Sequence, residues 1–95
     1  MNYKIDLSNK ALDDFDSIFD YIALDNKVKA KEFTDKIKQR IALLNVFPYS
    51  GRENETQEYR EIIEYPYIIR YVINEQAKSI MVLHIRHGAQ EEYRN

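Results

Sequence analysis

Tyr67-Ile68-Ile69-Arg70-Tyr71-Val72-Ile73 and, after a gap of five residues, Ser79-Ile80-Met81-Val82-Leu83-His84-Ile85-Arg86-His87-Gly88-Ala89 are the stretches that decide the fold. Both are rich in β-branched and aromatic residues and are separated by polar residues, which is the composition of strands. A period of two sorts their side chains by face. Tyr67, Ile69, Tyr71 and Ile73 share one face of the first run, and Ile68, Arg70 and Val72 the other. In the second run Met81, Leu83, Ile85 and His87 oppose Ile80, Val82, His84 and Arg86. The more apolar set of each strand is expected against the core. Arg70 and Arg86 are then expected together on the other face, joined by Arg60 from the preceding strand.

Working outward, Tyr59 to Tyr65 reads as that preceding strand, divided from the next by Pro66, and Asn74 to Lys78 links the last two. Links this short favour antiparallel neighbours. Residues 47–58 contain Pro48, Ser50, Gly51 and Asn54 among many charges and read as a loop. At the other end, Tyr3, Ile5 and Leu7 alternate with Lys4 and Asp6, as in a half-buried strand. Ser8 is a natural N-cap for the helix that follows. In that helix Ala11, Phe15, Ile18 and Ile22 form an apolar stripe, Leu12 and Phe19 widen it, and the aspartates are expected to face outward. Asp25-Asn26 breaks the pattern. A second stripe, Ala30, Phe33, Ile37, Ile41 and Leu44, ends before Pro48, which pushes the residue ahead of it out of helical geometry. The expected architecture is α+β, in the order β-α-α-β-β-β. A mainly antiparallel sheet would carry a helical hairpin on one face. Residues 1–95 are expected to form a single domain.

Composition excludes several classes of function. The chain has no cysteine, hence no disulfide and no thiolate metal site, and its two histidines are too few for a zinc site unaided. No Gly-rich phosphate loop, Ser/His/Asp set or metal-spaced carboxylate motif occurs, so no cofactor is expected. The amino-terminal residues lack the apolar run of a signal peptide, and no segment approaches the length of a membrane span. A cytoplasmic protein without membrane association is the expectation. With 16 acidic and 14 basic residues the net charge is −2, which disfavours non-specific capture of nucleic acid through phosphates. The charge is uneven: aspartates dominate the first helix, while lysines from Lys27 to Lys38 dominate the second.

Six residues could carry chemistry, His84 the weakest of them. Arg60, Arg70 and Arg86 each present a planar fork suited to phosphate or carboxylate, and neighbouring glutamates such as Glu61 and Glu64 could equally take them as structural partners. His87 carries an imidazole, a side chain that can serve as general acid or base, although a lone histidine at a strand end commonly serves only hydrogen bonding. His84, inside an apolar strand, is the weaker candidate. Tyr93 in the charged tail could stack on a base or pack on the sheet.

With Phe47-Pro48-Tyr49-Ser50-Gly51-Arg52, Tyr59-Arg60-Glu61-Ile62, Tyr67-x-Ile69-x-Tyr71 and the closing Arg86-His87-Gly88-Ala89 in this order, the chain resembles the RelE/ParE toxins of type II toxin–antitoxin pairs. The resemblance covers essentially the whole chain and implies a cognate antitoxin, usually encoded beside the toxin. RelE-type members cut mRNA on the ribosome without metal, using basic side chains on the sheet. Aligned on Tyr67 and Tyr71, a lysine of RelE falls at Glu61, one arginine at Ile68 and another near Gly88. A glutamate repels a scissile phosphate and an isoleucine donates nothing to it. ParE-type members lack that set, share the His-Gly-Ala-like end, and stall DNA gyrase by binding. The resemblance therefore implies a ParE-like gyrase inhibitor. The alternatives are a ribosome-dependent endoribonuclease using Arg60, Arg70, Arg86, His87 and Tyr93, or an antitoxin-binding relative without toxicity.

Overall fold

The computed structural model describes residues 2–88. Strand β1 (Lys4–Leu7) leads through Ser8 into helix α1 (Asn9–Ala23), and a short connection leads to α2 (Lys27–Ala42). Ser8 caps α1 as expected, its Oγ accepting from Ala11 N at 3.0 Å. Asn26 does the same for α2, accepting from Lys29 N at 3.0 Å. Both caps satisfy backbone donors that the first helical turn leaves without partners. Beyond α2 a 3-10 turn (Leu43–Asn45) carries the chain to the loop, and the strands β3 (Arg60–Glu64), β4 (Tyr67–Asn74) and β5 (Ser79–His87) follow. The loop itself contains one element that its composition hid. Arg52–Glu53 forms a two-residue strand, β2, paired antiparallel with β3.

The sheet order is β1-β5-β4-β3-β2, antiparallel except for the β1–β5 pair. The helical hairpin covers one face. Fully buried Ile37 and Leu44 from the α2 region meet Ile69, Tyr71, Ile80 and Val82 from the sheet in a shared hydrophobic core. Each such aliphatic side chain contributes about 1.5–3 kcal/mol by leaving water. At the far edge Glu64 faces the same layer and meets Lys36 and Arg40 of α2 at 3.5 and 3.6 Å.

The last strand departs from a uniform period of two. Arg70 pairs with His84 and Tyr71 with Val82, so Leu83 is an extra residue in β5 and forms a bulge. The bulge exchanges the two faces midway along the strand. Ile80 and Val82 face the helices before it, and Ile85 and His87 face them after it. The expected sets Met81/Leu83/Ile85/His87 and Ile80/Val82/His84/Arg86 are thus each split. Helix α1 satisfies the polar groups that the bulge displaces. Ser8 Oγ donates to Leu83 O at 2.6 Å, and Asp14 Oδ2 accepts from Ile85 N at 2.9 Å. Asp14 therefore faces the sheet, with 12% of its side chain exposed, against the expectation that the aspartates of α1 look outward.

Three segments distant in sequence are tied at Glu75, in the β4–β5 turn. Tyr3 Oη and Lys78 Nζ each donate to its carboxylate at 2.7 Å, and Tyr49 Oη donates to it as well. Lys78, then Tyr49 and Tyr3, hold the Glu75 carboxyl down from an ordinary 4.5 to about 2. Because the folded value lies below the unfolded one, the stabilisation is complete above about pH 4.5 and is lost as pH falls through about 2. Glu75→Gln is expected to lower the thermal midpoint at neutral pH and to converge on the parent protein near pH 2. Melts across that range check it, and a constant difference would contradict it.

Candidate functional site

The sheet face turned away from the helices carries a compact polar cluster. Counting outward from the turn at Tyr65-Pro66, whose peptide bond is cis, pairs Glu64 with Tyr67 and hence Glu61 with Arg70. Beyond them Arg52 lies across from Glu61, and His84 across from Arg70. Arg70 grips the Glu61 carboxylate twice, Nη2 to Oε2 at 2.7 Å and Nε to Oε2 at 3.1 Å. Its Nη1 lies 3.4 Å from His84 Nε2, and its guanidinium carbon sits 4.1 Å from the centre of the Tyr59 ring. Arg52 approaches the other Glu61 oxygen at 3.8 Å. Side-chain exposure is 17% for Arg70 and 14% for Glu61, so this ion pair is shielded from water and salt in a way that a surface pair is not.

Arg86 occupies the next rank of the same face, paired through Ile68 to Ile63. Around the cluster stand exposed Ile63 and Met81, giving a mixed apolar and charged surface on this face.

Of the nuclease candidates Arg60, Arg70, Arg86 and His87, all among the described residues, the structure puts Arg70 and Arg86 on one face. Arg60 pairs with Tyr71 and so lies on the helix-facing side, contrary to the expectation of three arginines on one face. There it donates to Gly51 O at 2.7 Å and stacks 4.9 Å from the centre of the Tyr49 ring, fastening the 47–51 loop. His87 lies on the helix side with Ile85, the side expected for its set, and its ring meets Tyr67 edge-on at 5.3 Å. Arg70 and Arg86 are thereby separated from Arg60 and His87 by the thickness of the sheet. Tyr93 lies outside the described residues. The contacts of Arg70 with His84 and Tyr59 were not anticipated. The hairpin register would have revealed the Glu61 partner, but His84 becomes its neighbour only through the bulge.

Chemically, the cluster can recognise a partner by shape and by hydrogen bonding. It is ill suited to holding a phosphate at Arg70, because a phosphate would have to displace Glu61 and then sit beside its carboxylate. No group of three or more potential metal-ligating side chains occurs among the described residues. Nor is any helix among them long and apolar enough to cross a membrane.

Solved structures of toxin–antitoxin systems share this fold. A chain of the chromosomal ParDE toxin–antitoxin system from P. aeruginosa aligns with TM-score 0.75 at 23% identity, over 90% of this chain and 95% of that one. A chain of the RelBE2 toxin–antitoxin complex from Mycobacterium tuberculosis aligns with TM-score 0.67 at 13% identity, over 92% of both. At such identities the likeness speaks for the fold, that of the RelE/ParE toxins. Sequence narrows the class, since residues 5–92 match the family of the ParE toxin of type II toxin–antitoxin systems, parDE, and the chain belongs to that family. No curated protein matches it by sequence.

Proposed function

We propose that this ParE-type toxin acts in the cytoplasm by binding DNA gyrase and trapping it on cleaved DNA, and that a cognate antitoxin neutralises it. The observation that carries this reading is the shielded Arg70–Glu61 pair on the open sheet face. RNA cleavage on that face needs cationic donors free to follow charge as it develops on the phosphate. Here a carboxylate already occupies the central arginine, and Ile68 stands beside it where a donor would be needed. A mild negative net charge also suits a protein target better than direct capture of RNA. The separation of His87 from Arg70 and Arg86 further weakens the set of residues that a nuclease would use.

The purified toxin, freed of antitoxin, is expected to abolish supercoiling by gyrase in proportion to dose and to accumulate cleaved DNA. Restoring the antitoxin should reverse the effect. mRNA on translating ribosomes should stay intact, with Arg86→Ala and His87→Ala making no difference to it. Site-specific mRNA cleavage that Arg86→Ala or His87→Ala removes, with gyrase unaffected, would replace this reading by the endoribonuclease one.

A further inference from the structure

On the open face a single carboxylate lies between two arginines from different strands. Glu61 of β3 stands opposite Arg70 of β4 on one side and Arg52 of β2 on the other. Arg70 donates to Glu61 Oε2 from Nη2 at 2.7 Å and from Nε at 3.1 Å, while Arg52 Nη2 stands 3.8 Å from Oε1. Two guanidinium forks turned toward one point suit a carboxylate from any source.

Arg70 has supports besides Glu61. Its guanidinium carbon sits 4.1 Å from the centre of the Tyr59 ring, and its Nη1 lies 3.4 Å from His84 Nε2. Tyr59 is anchored in turn by Asn54, whose Oδ1 accepts from Tyr59 N at 2.9 Å and whose N donates to Tyr59 O at 3.0 Å. Asn54 directly follows Arg52–Glu53, so one residue braces both the ring and the strand that carries the second arginine. A cradle braced in this way keeps its shape when the carboxylate leaves. Its floor is shielded and its rim is wet, since the Arg70 side chain is 17% exposed and that of Arg52 78%. Glu61 swinging out alone would strand a shielded guanidinium, which is costly. Exchange for another carboxylate keeps the charge-assisted hydrogen bonds of Arg70, so the two states differ little in energy.

We infer that Arg70 and Arg52 form a carboxylate-binding site that Glu61 closes as a built-in ligand. An external carboxylate, such as an acidic side chain presented by another protein, takes the place of Glu61 on Nη2 and Nε of Arg70. Glu61 then turns toward Arg52 and solvent. The site depends neither on the gyrase reading nor on the antitoxin.

The test uses the full chain, with acetate and inorganic phosphate as probes. Glu61→Gln keeps the length of the side chain and removes its charge, so Arg70 recruits an anion from solution. The thermal midpoint of this variant is expected to rise by about 5 °C on adding about 100 mM acetate, relative to chloride at equal ionic strength. The parent should rise by less than about 1 °C, because Glu61 competes and weakens the apparent affinity at least about tenfold. Titrations followed at the Arg70 Nε–H resonance check that ratio. Adding Arg70→Gln to Glu61→Gln should abolish the response. An equal response with and without Arg70 would show non-specific salt binding only and overturn the site, as would a flat response in Glu61→Gln. A response to phosphate without one to acetate would overturn the carboxylate assignment in favour of a phosphate ester. Should Glu61→Gln not fold in chloride, acetate is expected to restore its circular dichroism. If it folds in neither salt, Glu61→Asp, whose shorter chain draws the carboxylate off Arg70, is titrated in its place. A flat response there would overturn the inference.

Discussion

Gly51→Ala is expected to lower the thermal midpoint by more than 10 °C, on the order of 2–4 kcal/mol for a domain of this size. The reason is space, since the backbone of Gly51 does not need a positive φ. An added Cβ would stand 2.6 Å from Tyr71 Oη, 2.8 Å from Tyr71 Cε1 and 2.9 Å from the carbonyl of Glu61. Tyr71 is fully buried and its hydroxyl is committed twice, accepting from Gly51 N at 2.9 Å and donating to Pro48 O at 2.7 Å. It therefore cannot move aside without orphaning the loop's backbone groups. Tyr71→Phe alone should cost about 1–3 kcal/mol, because it leaves the Gly51 N–H and the Pro48 carbonyl unpaired. The double variant should cost less than the sum, since removing the hydroxyl removes the closest clash. The contacts with Cε1 and with the Glu61 carbonyl persist, so relief is partial. Denaturant melts of the three variants decide the matter. A Gly51→Ala variant within about 0.5 kcal/mol of the parent would mean that the loop is not locked to Tyr71.

The fold was legible in the sequence where its signals are local, and the site only partly so, because part of it depends on a bulge in β5. The stripe Ala11, Phe15, Ile18, Ile22 and the alternation Tyr67, Ile69, Tyr71, Ile73 are local periodicities, and the structure keeps both facing the core. The partner of Arg70 was also within reach of local reasoning, because a two-residue turn fixes the β3–β4 register. Two placements depended on non-local facts. Arg60 was expected beside Arg70, yet its registry with Tyr71 turns it toward the 47–51 loop, whose carbonyls it holds. Met81 was expected against the core and Ile80 and Val82 on the open face, but one extra residue in β5 reverses the strand's faces halfway along, so that only the residues beyond the bulge keep their expected sides. A bulge leaves no mark on a run in which apolar residues fill both faces. Its signal lay in α1, where Asp14 falls between Ala11 and Ile18, on the apolar side of the helix.

Asp14 is accordingly the position where the largest effect on the open face is expected. Its carboxylate receives Ile85 N–H, a donor that the bulge removes from the β4–β5 ladder, and Lys10 pairs with it from the preceding turn of α1. Asp14→Ala leaves that amide half-buried without an acceptor and should cost about 1.5–3 kcal/mol, or about 10 °C in midpoint. Lys10→Ala should cost far less, since the lysine is 69% exposed and contributes only a surface charge. Asp14→Asn retains an acceptor oxygen and should fall between the two. Hydrogen exchange at Ile85 separates this account from general loosening: its rate should rise selectively in Asp14→Ala and stay near the parent's in Lys10→Ala. Equal midpoints for the two alanine variants would show that the bulge is held by something other than Asp14. The consequence reaches the site, because β5 without its bulge would slip by one residue. Such a slip would carry His84 and Arg86 to the helix side and leave Arg70 without its neighbour. Asp14→Ala should therefore weaken whatever the open face binds by more than its loss of folded protein accounts for.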